Sequence, residues 1–533
     1  MKTILEIILK GVRAKLFILF YILTAIGAGF LLIYANDLLA LVLNDYLMVQ
    51  IFDGFARRLL LTAGIFTLIF GINTLGSYLF EDFQWGAITR ISRYYIARLL
   101  RAKQEFFINR PAAELFSNLW IASQASGEFF GNILLWISRI VIFIFYGIVV
   151  FSFDVWAGVF TTAALPIYFL FTARLGNRIA DLEGDYIEHD AELATVSQEA
   201  FENVGNVKAK GAYNFFTERS AQVLRKIKNV CVKVGVFEHY TANITGLFRI
   251  IAPILIIFGA IQISPSFDAS AGNIMVLFIN IPLFLNGFAN IHSGYIHYKV
   301  AKPFLAKLHK FEIAPLENEG GTEIAIFESL RTEGVKVTFE GGRIVTVPDF
   351  EIKAGEKVMF FGESGVGKST VFNIIMGFNH EYEGNVYVNG TNLREISLLS
   401  LRKIFGITFQ HNNALTLDLR GNILLGAKKS DSELERLIKL TALESQQDYK
   451  GETVLNNKVL SGGEKSRLGL SQMLVIEPEF ILIDEAFSNM DEQLESKIIN
   501  DLFREYPNRA VICISHRNSS RPFFDRVVEF NAL

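Results

Sequence analysis

Cysteine is almost missing from this chain: Cys231 and Cys513 are the only two in 533 residues, and they lie far apart. That excludes a disulfide framework and leaves both thiols as expected buried residues on a reducing side. A surplus of basic charge is missing too. With 51 Lys and Arg against 54 Asp and Glu, the net charge of −3 offers no footprint for nucleic acid. The first residues, MKTILEIILKGVRAK, lack a small-residue cleavage site behind a short apolar core. They read as an uncleaved amphipathic helix lying at a membrane surface.

What is abundant is apolar surface. Hydrophobic residues make up 51% of the chain and the mean hydropathy is +0.33, in a length that suits two or three domains. The excess is concentrated before about Val300, and the remainder reads as a soluble α/β protein. Crossing a bilayer takes about 20 apolar residues in a helix. Six runs qualify, at about 16–36, 59–80, 130–153, 155–174, 244–263 and 273–293. Basic residues cluster before the first run, after the second and between the fourth and fifth, which puts both termini on the cytoplasmic side.

Turn residues are few in the two long polar stretches at 81–129 and 175–243, where helical spacing continues through Ile91, Tyr95 and Leu99. The membrane helices are therefore expected to extend into the cytoplasm as long hairpins. Their tips fall near 109–116, at Asn109-Arg110-Pro111, and near 208–216, at Gly211. An α-helical transmembrane domain over 1–315, a linker over 316–334 and an α/β domain over 335–533 follow from this pattern.

The strand-like KVMFF at 357–361 runs into Gly362-Glu363-Ser364-Gly365-Val366-Gly367-Lys368-Ser369-Thr370. This is the phosphate-binding pattern GxxxxGK[ST] in its strand–loop–helix setting. Its glycines let backbone N–H groups curl around phosphate oxygens, and the following helix N-terminus adds partial positive charge. Lys368 is placed for the β- and γ-phosphates and the Ser369 hydroxyl for Mg²⁺. A second strand, FILI at 480–483, ends in Asp484-Glu485. Asp484 suits the Mg²⁺ shell, and Glu485 suits orienting and deprotonating an attacking water.

Together these residues resemble the ATP-binding-cassette transporters, specifically exporter-type half-transporters. Leu460-Ser461-Gly462-Gly463-Glu464 is similar to the family signature, which more often ends in Gln. The resemblance implies an α/β P-loop domain with a helical subdomain over 335–533, and that this segment closes over ATP bound by a partner subunit, in a domain-swapped dimer. It assigns Gln410 to metal sensing, His516 to the γ-phosphate, Asp491 to the loop linking the two sites and Phe339 to adenine stacking. QEFFINRPAAELFSNL and ENVGNVKAKGAYNFF resemble the two coupling segments. The segment GETVLNNKV before the signature and SRLGLSQML after it depart from the family pattern.

The resemblance implies ATP and Mg²⁺ as ligands, a homodimer in the bacterial inner membrane and ATP-driven movement of a lipid, peptide or other amphipathic compound. A heterodimer with another half-transporter, and an importer built on the same fold, stay open. A soluble ATPase of the family is excluded by the six spans. Arg139, Arg249, Asn280 and Asn286 are the candidate cavity residues, because intramembrane arginines usually face a cavity or a partner.

Overall fold

A computed structural model describes residues 2–9, 12–44, 54–108, 110, 112–317, 320–339, 342–363, 365–410, 412–444 and 460–530. The chain divides into two compact units, Met1–Leu100 with Pro111–Ala314, and Arg101–Arg110 with Pro315–Leu533.

The first unit is helical: α1 Lys2–Leu9, α2 Val12–Leu41, α3 Phe55–Leu99, α4 Ala112–Phe153, α5 Val155–Glu202, α6 Val204–Ala209, α7 Tyr213–Ile263 and α8 Ala271–Glu312. Among the described residues, six helices are long and apolar enough to cross a membrane. Helices α3, α5 and α7 have 45, 48 and 51 residues, against the 20 or so that a bilayer needs. Helix α4 packs along α8 and α5 along α7. Their core includes Val150, Ala157, Ile256, Ala260, Leu277 and Ile281.

Polar side chains fix several helix ends. Asp154 caps α5 by accepting the Ala157 N–H at 2.7 Å, and its second oxygen accepts the Ser264 hydroxyl at 2.7 Å. One carboxylate thereby starts α5 and ties it to the end of α7. Helix α1 packs one face on the other helices: Ile4 and Ile8 are buried, and Thr3 donates to Glu312 at 2.6 Å.

Two expectations change. The connection between α3 and α4 spans 100–111 and carries a 3₁₀ turn at Gln104–Phe107, so of the expected tip at 109–116 the part from Ala112 onward is helix. Alanine and leucine in AAELF favour helix, so 112–116 is already helical; Asn109 and Pro111 lie outside the described residues. Cys231 is exposed on α7, whereas Cys513 is buried. At the second tip, Gly211 takes a φ of 62° between α6 and α7, a conformation open to glycine without strain.

The second unit contains β1 Ser329–Thr338, β2 Ile344–Thr346, β3 Glu351–Lys353, β4 Lys357–Gly362, α9 Lys368–Ile375, β5 Glu383–Val388, β6 Thr391–Asn392, α10 Leu398–Ile404, β7 Phe405–Thr408, α11 Leu419–Leu424, α12 Asp431–Leu440, α13 Gly462–Leu474, β8 Phe480–Asp484, α14 Glu492–Glu505, β9 Ala510–Ile514 and β10 Arg526–Phe530. Strand β1 begins at Ser329, inside the stretch expected to be linker.

Strands β2-β1-β5-β6 form an antiparallel sheet with β3 added on β1, and β10-β4-β9-β8-β7 form a parallel one. The inner strands β8 and β9 are buried on both faces, as in parallel sheets generally. Along β8, Phe480 and Leu482 enter the core shared with the antiparallel sheet, while Ile481 and Ile483 enter the core shared with α13. Strand β9 alternates the same way: Ala510, Ile512 and Ile514 on one side, Val511 and Cys513 on the other. That alternation is why Cys513 is buried.

Candidate nucleotide site

Parallel pairing sets the site. Strands β4, β9, β8 and β7 are neighbours in that order, with Phe360 beside Ile514, Ile514 beside Asp484, and Ile483 beside Thr408. Their carboxyl ends therefore form one edge. The phosphate loop leaves β4, Asp484 and Glu485 end β8, His516 follows β9, and Gln410 follows β7. Open α/β sheets bind ligands at such an edge.

The loop is built for close backbone approach. Gly367 caps α9 with a φ of 107°, and a Cβ there would lie 2.2 Å from the Val345 side chain, so only glycine fits. Lys368 folds over the loop, donating to the Gly362 and Glu363 carbonyls at 2.9 and 2.7 Å. Burial pulls its ammonium below the ordinary lysine range, with Glu485 and Asp484 opposing. Arg343 donates to the Gly365 carbonyl from the turn before β2, a support the motif does not contain. Ser364 lies outside the described residues.

Ser369 Oγ donates to Asp484 Oδ1 at 3.0 Å. Burial is the main reason the Asp484 carboxyl is pushed up to about 6, with Glu485 adding to it. The two oxygens of Glu485 are held separately. Gln410 Nε2 donates to Oε2 at 2.8 Å, and His516 Nε2 lies 2.8 Å from Oε1. The structure thus brings together the loop, Asp484, Glu485, Gln410 and His516 at one strand edge.

Phe339 follows β1 and is 41% exposed, which suits an aromatic platform and not a core residue. Leu460 is buried, and Ser461 caps α13: its hydroxyl accepts the Glu464 N–H at 3.3 Å, and the Glu464 carboxylate accepts the Ser461 N–H at 2.8 Å. Glu464 therefore closes a capping box. Gly463 sits against the Asn489 carbonyl, where a Cβ would lie 2.9 Å away. Asp491 caps α14 through the Leu494 N–H at 2.8 Å. The segment 451–459, whose sequence departs from the family pattern, lies outside the described residues.

Arg517 was not singled out from sequence. It pairs with buried Glu495 at 2.6 Å and donates to the Ser488 and Met490 carbonyls at 3.0 and 2.8 Å, fixing the turn after Glu485 to the residue next to His516.

In the first unit, Arg249 donates to Asn286 at 2.8 Å. Asn280 is 1% exposed and donates to Asn36 at 2.6 Å. That burial makes Asn280 a packing residue between α2 and α8 and removes it from the cavity set. Arg139 is half-buried on α4.

Known proteins share both parts. The family model "ABC transporter transmembrane region" matches residues 18–287, and the model "ABC transporter" matches residues 345–488. The chain is 30% identical over 214 residues to the mitochondrial iron-sulfur clusters transporter ABCB7 of Danio rerio, covering 38% of this chain and 28% of that protein. It is 25% identical over 392 residues to the ABC multidrug transporter MDR1 of Cryptococcus neoformans var. grubii, covering 68% of this chain and 27% of that protein. The matches thus span under a third of either relative. A solved bacterial Atm1-family ABC exporter with ATP bound shares the fold, with a TM-score of 0.84, 20% identity, and coverage of 97% of this chain and 94% of that one. With the transmembrane-region model alone covering more than half of the 533 residues, the chain belongs to the ABC transporter family, as a multi-pass membrane chain with one nucleotide unit.

Proposed function

We propose that this chain is a half-transporter that hydrolyses ATP to move an amphipathic or hydrophobic compound across a membrane by alternating access, working as a pair of identical chains. The observation that carries the reading is the Glu485 carboxylate, bridged between Gln410 and His516 at the strand edge that also holds Ser369 and Asp484.

In this reading the loop amides and Lys368 bind the ATP phosphates and Phe339 stacks on adenine. Glu485 takes the proton from the attacking water, and His516 steadies the γ-phosphate. Ser369, Asp484 and Gln410 would hold Mg²⁺, which supplies charge neutralisation at the β- and γ-phosphate oxygens when bound. The donor set fits: two hard oxygens lie 3.0 Å apart, and a nearby cation offsets the burial that disfavours charge on Asp484.

Pairing is supported by surfaces that a single chain leaves open. Phe201, Tyr213 and Phe215 around the second tip are 75%, 55% and 63% exposed. Phe409, Leu415 and Leu417 beside Gln410 are 40%, 50% and 42% exposed. A domain-swapped pair covers both, and it brings the Ser461 helix tip of one chain over the nucleotide of the other. Nucleotide binding then favours the closed state of the pair, and hydrolysis releases it.

The cargoes named for the relatives differ, iron-sulfur clusters in one and multiple drugs in the other. The Arg249–Asn286 pair supports a cargo with an anionic group, and the basic loops support nucleotide units on the cytoplasmic side. Export is tested in proteoliposomes with the nucleotide units facing outward. ATP should drive a fluorescent anionic amphiphile inward with wild-type chain and not with Glu485→Gln. Movement independent of ATP, or equal with the variant, overturns the reading.

A further inference from the structure

The first cytoplasmic loop and the segment leading into the nucleotide unit are stitched together, and one arginine joins that stitch to the phosphate-loop helix. Ala102 forms an antiparallel bridge with Leu316. The Lys103 N–H donates to the Pro315 carbonyl and the Glu317 N–H to the Arg101 carbonyl, each at 2.9 Å. Glu317 then accepts a forked ion pair from Arg402 at 2.7 and 2.9 Å. Farther along, Thr322 bridges to Ile396, and the Ile324 N–H donates to Ser400 on α10 at 3.2 Å.

Arg402 has a second task. Its Nε and Nη2 both donate to the Met376 carbonyl at 3.2 Å, and its guanidinium lies 5.1 Å from the Phe378 ring centroid. Met376 is the C-cap of α9, whose other end is the phosphate loop. Carbonyls at a helix C-terminus lack intrahelical partners and carry partial negative charge, so a guanidinium is a fitting ligand there. Helix α9 has eight residues, about 12 Å at 1.5 Å per residue, too short to bend. The same chain segment runs from Arg402 through β7 to Gln410, which bonds Glu485. Arg402 thus touches the loop-and-linker stitch directly, and it is linked to the phosphate loop through one helix and to the hydrolytic carboxylate through one strand.

Beside the stitch lies a cleft of about 380 Å³, lined by Lys103, Leu316, Gly377 and His380 among others, and the His380 N–H donates to Glu105 of the loop at 3.4 Å. The ion pair itself is largely shielded, with side chains 26% and 17% exposed, and its forked geometry is the strong form of such pairs.

We propose that Arg402 is a positioning residue that makes the end of the phosphate-loop helix, the linker and the first cytoplasmic loop move as one body, so that nucleotide engagement reaches the membrane helices flanking that loop. The proposal rests on the transporter reading given above.

The test uses the full chain in proteoliposomes, reading ATP affinity, basal hydrolysis and ATP-driven movement of the anionic amphiphile side by side. Arg402→Met and Glu317→Gln should cut movement by about 10-fold or more, the usual range of coupling between sites. ATP affinity and basal hydrolysis should stay within about 2-fold, since no phosphate contact is removed. Arg402→Lys keeps the charge but not the fork, and should fall between. A disulfide between Ala102→Cys and Leu316→Cys, made with Cys231→Ser, should leave movement intact. Bridge partners lie about 4.5–5.5 Å apart at Cα, within disulfide range. Parallel loss of hydrolysis and movement, unchanged movement in both salt-bridge variants, or a block by the disulfide each overturns the proposal. Wild-type chain without ATP-driven movement sinks the transporter reading as well, whereas movement left intact in both salt-bridge variants sinks only the role given to Arg402.

Discussion

Glu485 Oε1 and His516 Nε2 lie 2.8 Å apart, while the second Glu485 oxygen is taken by Gln410. Glu485 also has a φ of 48°, a left-handed conformation that costs a non-glycine residue about 1–2 kcal/mol. Its N–H on the Ile514 carbonyl at 3.2 Å and its two side-chain partners hold it there. Glu485→Gln keeps the shape and removes the base. Hydrolysis should fall by about 10²–10⁴-fold with ATP affinity nearly unchanged, measured by phosphate release and equilibrium binding.

Asp484 gives a pH signature. Its carboxyl is raised from 3.8 to about 6 in the folded chain, chiefly by burial. Between those values the folded chain keeps a proton that the unfolded chain has lost, so this group makes stability fall as pH rises through the window. Above about 6 the full penalty applies, about 2–3 kcal/mol at 1.36 per unit. Asp484→Asn removes it. Without nucleotide, the variant should gain thermal stability over wild type at about pH 8 and little at about pH 5. It should also lose Mg²⁺-dependent hydrolysis.

Lys368 already donates to two loop carbonyls at 2.9 and 2.7 Å, so its ammonium is held over the loop. Charged hydrogen bonds contribute about 1.5–3 kcal/mol. Lys368→Ala should therefore weaken ATP binding by roughly 10- to 100-fold, read by calorimetry on the chain in nanodiscs.

The buried Asn36–Asn280 bond joins α2 to α8 at 2.6 Å. Interhelical bonds in membranes contribute about 0.6 kcal/mol on average and up to about 1.7. Asn36→Leu should lower thermal stability by an amount in that range. A double-mutant cycle with Asn280→Leu should return a coupling energy of the same size.

Much of this was legible in the sequence because it is local. The run from Gly362 to Thr370 states its own geometry, and six apolar runs state their own lengths. The long hairpins followed from helical spacing through residues with few breakers. What sequence left out are pairings across distance. Nothing in an apolar run says that Asn36 faces Asn280, so sequence leaves a cavity role and an interhelical bond equally open there. Glu317 and Arg402 sit 85 positions apart and carry no motif. The expected first tip ran on to 116 because Pro111 reads as a breaker, whereas α4 is already helical from Ala112. Cys231 was judged by residue type, and its place on α7 leaves it exposed.

The claim that two chains share each nucleotide is tested most directly by mixing inactive variants. Lys368→Ala disables one wall of a composite site and Ser461→Trp the opposite wall. If the site spans two chains, a mixed dimer gathers both defects in one site and leaves the other intact. Co-expressed variants should then recover up to about a quarter of wild-type hydrolysis by random pairing, while each alone stays inactive. No recovery on mixing, or full hydrolysis by Ser461→Trp alone, contradicts shared sites.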